Sequence, residues 1–242
     1  MPFYVPPTND LNRLRFLQRT VTSATADLLA GDEYLSSSTV AKVTALAVEF
    51  ETALNAISST QRTRSNEALQ RAEAIAELSA AVRDLWAVLR RRVRRLKQPA
   101  NVLLFYGLPI DGDTPNPTTQ DDWLPISQEV INGDVEAVAD GFPLMSNPSA
   151  AELQLLLDVA TTEAGEADAS DRIYDKAQAT VADLRVKVSK MIDDIMAELR
   201  FRLRDEDRAS QRRIMRTYGA TFAYLEGETT DPDDQGEDVV VE

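Results

Sequence analysis

The sequence predicts an all-α protein, a bundle of about five long amphipathic helices built from two related repeats. Its 242 residues are rich in Ala, Leu, Glu and Arg and include only 9 Gly, a composition that favours helix over sheet. Apolar residues recur at steps of three and four, which is the spacing of an amphipathic helix. An arginine-rich segment that occurs twice indicates that the helical unit is duplicated.

The duplicated segment spans residues 84–95 and returns 110 positions later as residues 194–205. Six positions carry the same residue type: Asp84, Ala87, Leu89, Arg90, Arg92 and Arg94 match Asp194, Ala197, Leu199, Arg200, Arg202 and Arg204. Each copy then runs into a Tyr-Gly pair, Tyr106-Gly107 or Tyr218-Gly219. Any two amphipathic helices share an apolar pattern, but the identical arginine spacing strengthens the interpretation.

The sequence therefore divides into two helical repeats with acidic segments between and after them. Residues 1–106 form the first repeat, residues 107–148 an acidic connector rich in Pro and Gly, and residues 149–225 the second repeat. Residues 226–242 form an acidic tail whose composition is typical of disorder. The two repeats fold either as one core or as two intertwined halves.

The first repeat begins with an extended arm over residues 2–9, which hold three prolines. Asn9 or Asp10 can cap a first helix that ends at Gly31-Asp32. Its predicted apolar face consists of Leu11, Leu14, Leu17, Val21, Ala24 and Leu28.

A second helix begins at Ser38 or Thr39, and a third ends at Gln98-Pro99, since a proline disfavours helical conformation in the residue before it. The polar run over residues 58–66 either breaks or bends the chain between these helices or lies within one continuous helix. Both alternatives fit the pattern.

In the connector, Trp123 and Phe142 are the predicted points of attachment to the body of the protein. The second repeat opens with a helix at Pro148-Ser149, and Ser170-Asp171 is the predicted N-cap of a longer helix. The inward positions of that longer helix are Ile173, Ala177, Val181, Leu184, Val188, Met191, Ile195, Leu199 and Leu203. A last helical piece is predicted over residues 210–224.

Charge is segregated along the chain. The net charge is −14, yet residues 1–97 carry 14 basic and 10 acidic residues, and residues 172–225 carry 12 and 8. Residues 98–171 hold 14 acids and no Lys or Arg, and the tail holds 8 acids and no base. Basic helices thus alternate with acidic connecting segments.

Composition also excludes several chemistries. The chain has no cysteine and no histidine, which removes disulfides, thiolate catalysis, the commonest general base and the commonest transition-metal ligand. We predict no catalytic residue, no cofactor and no metal site. An enzyme that uses only Arg, Asp, Glu and Tyr is chemically possible but has no supporting motif. The tail has calcium-loop acids at Asp231, Asp233 and Glu242, but Gln235 and the lack of a following helix disfavour a calcium site.

The N-terminus lacks an apolar segment of signal-peptide length, and the longest apolar run, residues 102–106, is far too short to span a bilayer. The predicted location is the cytoplasm, with export by a signal-less route as the alternative.

Two groups of basic side chains are the strongest functional candidates. The first arginine cluster is Arg90, Arg91, Arg92, Arg94, Arg95 and Lys97. The second arginine cluster is Arg200, Arg202, Arg204, Arg208, Arg212, Arg213 and Arg216. Of the 26 basic residues 21 are Arg, and Arg suits bidentate pairing with carboxylates better than Lys does.

Three interpretations of the clusters compete. They are solvated, salt-bridged helix ends, a nucleic-acid surface, or an interface on which acidic segments of another chain neutralise the arginines. We expect a non-enzymatic structural or scaffold protein that self-associates or binds a protein partner, with a nucleic-acid-associated helical protein as the alternative and no membrane partner. The predicted interface residues are Arg90, Arg91, Arg94, Arg95, Arg200, Arg202, Arg204, Tyr106, Tyr218 and Trp123.

Overall fold

The computed structural model describes residues 2–111 and 113–224 and the backbone of residues 239–240. Over these residues the fold is all-α, as predicted, with one small sheet. The elements, in chain order, are β1 (Phe3–Val5), α1 (Asp10–Ala30), α2 (Ser37–Leu96), α3 (Val102–Phe105), α4 (Trp123–Ala139), α5 (Ala150–Arg202), α6 (Arg208–Thr217), β2 (Thr221–Tyr224) and β3 (Val239–Val240). The predicted acidic tail and its calcium-like spacing lie outside the described residues, apart from the backbone of β3.

The two longest helices are continuous where the sequence suggested interruptions. Helix α2 runs for 60 residues, and its polar hydroxyls bond back to helix carbonyls, as Ser65 Oγ does to the carbonyl of Gln61 at 3.0 Å. Helix α5 runs for 53 residues, so the predicted N-cap at Ser170-Asp171 is wrong. Ser170 Oγ donates to the carbonyl of Ala167 at 2.8 Å, a bond that a serine inside a helix can make.

Helix α1 confirms the predicted boundaries. The side chain of Asn9 accepts a hydrogen bond from the N–H of Asn12 at 2.8 Å, which satisfies one donor of the first turn. Gly31 ends the helix in the left-handed region, with φ +91°. Leu14, Leu17 and Ala24 are buried as predicted. The helix reaches the sheet through Gly219, whose added Cβ would lie 3.0 Å from the Cα of Phe16.

Three of the predicted inward positions are wrong. Leu11 and Leu28 of α1 are 55% and 67% exposed, and Ile173 of α5 is 58% exposed. The apolar period is therefore correct for most of each helix but does not identify the positions that lack a neighbouring element to cover them.

The predicted last helix is too long. Helix α6 ends at Thr217 and the next residues turn into β2, which pairs antiparallel with β1 in the register Phe3↔Ala223 and Val5↔Thr221. β3 adds to the other edge of β2 in parallel. One β-branched and two aromatic residues in Thr221–Tyr224 suit a strand, and the arm at residues 2–9 supplies the edge with which it pairs.

The predicted connector contains a helix of 17 residues, α4, which the sequence interpretation missed. Trp123 and Ala137 of α4 are 5% and 0% exposed. Gly133 allows the contact of α4 with α3, since a Cβ there would lie 1.7 Å from the carbonyl oxygen of Phe105. The predicted attachment point at Trp123 is confirmed.

Contacts divide the chain into two compact units, each with its own core. The terminal unit comprises Met1–Ser58 and Asp175–Glu242, and the central unit comprises Ser59–Tyr174. The core of the terminal unit joins α1, α6, β2, the first part of α2 and the last part of α5. The core of the central unit joins α3, α4, the last part of α2 and the first part of α5. The duplication of the helical unit stays a prediction. So does the division of the chain into residues 1–106, 107–148, 149–225 and 226–242.

Among the described residues, no helix combines the length and the apolarity needed to cross a membrane.

Candidate functional site

The first arginine cluster lies at the C-terminal end of α2, in the central unit, and part of it fixes the loop after α4. The guanidinium of Arg92 donates to the carbonyl of Leu144 at 3.1 Å, contacts Met145 Sδ at 3.1 Å and also bonds the carbonyl of Pro143. These contacts tie α2 to the loop through neutral acceptors. Arg92 therefore stabilises the central unit.

Arg90 is also tied down, because its Nη2 donates to Thr114 Oγ1 at 2.6 Å. Arg91, Arg94 and Arg95 are exposed. Arg94 Nε donates to the carbonyl of Arg90 at 3.4 Å. Within the described part of the chain, no carboxylate forms an ion pair with any of the three. We call Arg91, Arg94 and Arg95 the exposed arginine trio.

An exposed leucine follows the exposed arginine trio in the sequence. Leu96, the last residue of α2, is 61% exposed. Arginines together with an exposed leucine are more typical of a protein interface than of a fully solvated helix end, because interface cores are enriched in Arg and apolar groups and depleted of Lys, Glu and Asp.

The second arginine cluster begins at the end of α5, in the terminal unit. The guanidinium of Arg200 lies 5.9 Å from the ring centre of Tyr4, and that of Arg204 lies 4.7 Å from the ring centre of Phe201. Arg204 also pairs with Asp205, its sequence neighbour, at 3.6 Å. Arg202 is exposed. The remaining members, Arg208, Arg212, Arg213 and Arg216, lie on α6.

Glu198 connects the end of α5 to the start of α2, a role that the sequence did not reveal. Its carboxylate accepts hydrogen bonds from the N–H of Ser36 and the hydroxyl of Thr39, both at 2.7 Å. Burial alone would raise the pKa of Glu198, but these hydrogen bonds and the charge of Arg202 outweigh it and lower the pKa. Ser36, and not Ser38 or Thr39, caps α2, because its Oγ accepts from the N–H of Thr39 at 3.3 Å. Glu198 holds this first turn of α2 against the end of α5.

Tyr106 is fully buried in the central unit. Its hydroxyl donates to Asp134 at 2.7 Å, and its carbonyl accepts from the indole N–H of Trp86 at 2.9 Å. The N–H of Met145 donates to the same Asp134 oxygen at 3.1 Å. Burial and the bond to Asp134 raise the pKa of Tyr106, so the phenol stays neutral.

Tyr218 holds a similar place in the terminal unit and is also fully buried. Its hydroxyl donates to Asp27 at 2.5 Å, and its carbonyl accepts from Thr20 Oγ1 at 3.0 Å. Burial and the Asp27 carboxylate raise the pKa of Tyr218. Gly107 and Gly219, which follow the two tyrosines, have φ values of +68° and +99°, in agreement with their predicted role as helix stops.

The aromatic members of the predicted interface therefore lie in the interior of their own units. Trp123 is 5% exposed, stacks at 6.1 Å from Trp86 and lies under the guanidinium of Arg83 at 4.6 Å. Together with Tyr106 and Tyr218 it supplies core packing.

Within the described residues, the acids of the connector form no ion pair with the arginines of the first cluster. Asp121 instead pairs with Arg71, which also approaches Asp168 at 3.6 Å. Asp122 accepts from the N–H groups of Thr118 and Thr119 at 3.1 and 2.9 Å. Arg90 and Arg92 thus bind neutral groups of the connector, and its acids have other partners.

One group of carboxylates in the central unit could hold a cation. Single oxygens of Glu67, Glu163 and Glu166 lie within 4.8 Å of one another. The Oε2 atoms of Glu67 and Glu163 are shielded from solvent and accept no hydrogen bond within the described residues. Only the i,i+3 spacing of Glu163 and Glu166 signals this group in the sequence, since Glu67 is remote in the chain. Oxygen ligands of this kind suit hard divalent cations.

No model of a protein family, no curated protein and no solved structure matches this chain. The fold defines the protein as an all-α chain with two compact units, and its function has to be inferred from the residues and contacts described above.

Proposed function

We propose that the protein is a non-enzymatic structural or scaffold protein of the cytoplasm that binds a second copy of itself, or another acidic protein, through its arginine-rich helix ends. The observation that carries the proposal is the exposed arginine trio, whose guanidinium groups have no acidic partner in the described residues of their own chain. The members of the second cluster at the end of α5 form the corresponding surface of the terminal unit.

The chemistry of the trio favours carboxylates. A guanidinium presents a rigid fork of donors that matches a carboxylate with two parallel hydrogen bonds. The three side chains emerge within five residues of one helix, and the exposed Leu96 that follows them in the sequence offers apolar area to the same partner. Arginine is among the residues that contribute most to binding energy at interfaces.

The chain itself carries the complementary charge. Residues 98–171 hold 14 acids and no base. Asp111, Asp113 and Asp140 of this segment are exposed and form no ion pair among the described residues. Two copies related by twofold symmetry would each supply both surfaces, so that every arginine–acid contact is made twice.

Nucleic acid is the alternative partner, because the same exposed guanidinium groups could bind phosphate. The net charge of −14 opposes this alternative through long-range repulsion. An electrophoretic mobility shift with mixed DNA and RNA at low salt tests it. A shift that the triple variant described next abolishes would favour this alternative, and no shift removes it.

Charge reversal of the exposed arginine trio tests the proposal. The variant carrying Arg91→Glu, Arg94→Glu and Arg95→Glu should have the mass of one chain, 26.8 kDa, in size-exclusion chromatography with light scattering, whereas the unmodified protein is larger. Helix content by circular dichroism should be unchanged, because the trio makes no contact that holds the fold.

The matched control reverses three exposed cations of α5, with Arg172→Glu, Lys176→Glu and Lys187→Glu. It changes the net charge by the same amount and should still associate. Association of the trio variant to the same extent as the unmodified protein contradicts the proposal. Equal dissociation of the control would mean that net charge, rather than this surface, determines the mass.

A further inference from the structure

A small pocket in the terminal unit lies between the end of α1 and the start of α2. Its volume is about 270 Å³. The walls are largely apolar and include Leu28 of α1, Leu35 of the following loop, and Val40 and Ala41 of α2. Leu28 is 67% exposed, although the apolar period places it on the buried face of its helix. The pocket explains this exception, because Leu28 forms part of its open wall.

The remaining wall is acidic and aromatic. Asp32, Glu33 and Tyr34 line it from the loop, and the buried Tyr218 lines it from the end of α6. Tyr218 donates its hydroxyl to Asp27 at 2.5 Å, which adds a carboxylate next to the pocket.

The charges around the pocket are all of one sign. Burial raises the pKa of Tyr34, and so do the carboxylates of Asp32, Asp27 and Glu206. The pKa of Tyr218 is raised by burial and by Asp27 and Asp32. In the described residues, Asp27, Asp32 and Glu33 have no ion-pair partner. The carboxylates that border this apolar pocket have no cationic partner among the described residues. A positively charged ligand would supply one.

The loop of the central unit that follows α4 shows that the turn itself needs no acid. It begins at Gly141 with φ +89°, as the loop after α1 begins at Gly31 with φ +91°. Its next residues are Phe142, Pro143, Leu144 and Met145. Met145 is 1% exposed and the guanidinium of Arg92 binds the loop carbonyls. The loop after α4 is thus apolar and is held by an arginine. The loop after α1, in contrast, presents Asp32 and Glu33 to a pocket.

We propose that this pocket binds a small organic cation, an alkyl chain that ends in an ammonium group. The alkyl chain packs against Leu28, Leu35 and Val40, and the ammonium group lies near the carboxylates of Asp32 and Glu33 and the ring of Tyr34. An aromatic ring attracts a cation that lies over its face. Apolar walls with a few convergent polar groups are the usual form of a small-molecule site.

The volume restricts the ligand to a small one. n-Hexylammonium, with about seven non-hydrogen atoms, suits a pocket of this size and should bind with a dissociation constant of about 0.1–1 mM. Its affinity should fall as salt is added, since the ammonium–carboxylate attraction is screened.

Isothermal titration calorimetry of the full chain with three isosteric probes tests the assignment. n-Hexylammonium should bind about tenfold more tightly than 1-hexanol, and hexanoate should bind least. Equal affinity of the alcohol and the ammonium would overturn the proposal, since the pocket would then be a merely apolar cavity. Preference for hexanoate, or no binding of any probe up to about 10 mM, would overturn it as well.

Two sets of variants locate the site. Asp32→Asn with Glu33→Gln should reduce the affinity for n-hexylammonium to that of the alcohol, while Glu129→Gln with Glu136→Gln on α4, which changes the net charge equally, should leave it unchanged. Tyr34→Ala should weaken binding about threefold and Tyr34→Phe should not, because the ring face makes the contact. Loss of affinity in the α4 control overturns the assignment to this pocket.

A lysine side chain of a protein carries the same ammonium group as a free amine. A further probe must therefore distinguish a free amine from a lysine side chain as the ligand. Nα-Acetyl-lysine amide places the ammonium on a shorter alkyl stem that ends in peptide groups. Weaker binding of this probe than of n-hexylammonium supports a free amine as the ligand. Stronger binding overturns that choice.

Discussion

Two buried tyrosines, one in each unit, make the same kind of contact in different surroundings. Tyr106 donates to Asp134, which is 1% exposed, and the loop beside this pair is apolar. Tyr218 donates to Asp27, which is partly exposed, and the loop beside this pair is acidic and borders a pocket. The hydrogen bond is therefore enclosed in the core of the central unit, whereas in the terminal unit its donor, Tyr218, borders a pocket.

Two units that share a helical pattern therefore differ in where their charged groups are accessible to a ligand or partner. The central unit presents its charge outside, on the exposed arginine trio, and its interior polar groups are enclosed. In the terminal unit, carboxylates lie beside an opening. The predictions below test this contrast between the units, in order of decreasing effect.

The largest effect is expected at Gly133, where the central unit is packed most closely. Gly133→Ala should lower the free energy of unfolding by about 3 kcal/mol, because the added Cβ meets the carbonyl oxygen of Phe105 at 1.7 Å. Gly165→Ala, in α5 of the same unit, meets nothing within 4 Å and should raise stability by about 1 kcal/mol. Urea denaturation followed by circular dichroism measures both. Similar effects at the two sites would contradict the described contact of α3 with α4.

Removal of the two tyrosine hydroxyls compares the pairs directly. Tyr106→Phe should destabilise by about 2 kcal/mol, because it deprives the enclosed Asp134 of a donor, and Tyr218→Phe by about 1 kcal/mol, because water can reach Asp27. The same denaturation measurement gives both values. If Tyr218→Phe proves the more costly, the closed and open descriptions of the two pairs are wrong.

Substitutions in the first arginine cluster should differ in their effect on the free energy of unfolding, because Arg92 contacts the fold and Arg91 and Arg95 are exposed. Arg92→Ala should lower the free energy of unfolding by about 1.5 kcal/mol, because two carbonyls of the loop after α4 lose a charged donor. Arg91→Ala and Arg95→Ala should change it by less than about 0.5 kcal/mol. Thermal denaturation ranks them. A loss at Arg91 as large as that at Arg92 would show that the exposed trio supports the fold.

The smallest effect is a dependence on pH in the terminal unit. Because the folded state lowers the pKa of Glu198 from its ordinary 4.5, its carboxylate stabilises the fold above that pH and the contribution is lost as the pH falls through the lowered value. Glu198→Gln should therefore reduce the loss of stability between about pH 5 and pH 3 by a few tenths of a kcal/mol, since the group is partly exposed to solvent. An unchanged pH profile would mean that the bonds from Ser36 and Thr39 do not favour the charged form.

Local rules predicted the fold class and most helix ends. Asn9 and Gly31 bound α1 as their side-chain chemistry requires, and apolar spacing identified the buried faces of α2 and α5. Residues 58–66 stay helical, since their hydroxyls bond within the helix, so the alternative of one continuous helix is confirmed there. The rules failed where a partner remote in sequence decides, as at residues 221–224, which form a strand because β1 supplies an edge.

The candidate sites were predictable only in part. The arginine spacing marked both helix ends, but it could not separate Arg92, which binds loop carbonyls, from Arg91, which is exposed. The pocket is lined by Leu28, Asp32, Tyr34 and Tyr218, among others. No spacing rule connects these residues, because Tyr218 comes to α1 from the far end of the chain. Tyr106 and Trp123 were predicted as interface residues because of their residue types, but both side chains are buried.

The central claim is that exposed arginines bind the acids of another copy of the chain. The most direct test is the mass of the unmodified protein by light scattering at about 0.1 M and about 1 M salt, where the screening length falls from about 10 to about 3 Å. We expect an oligomer at the lower salt concentration that dissociates toward the single-chain mass of 26.8 kDa at the higher one. A single-chain mass under both conditions and at high protein concentration would contradict the claim.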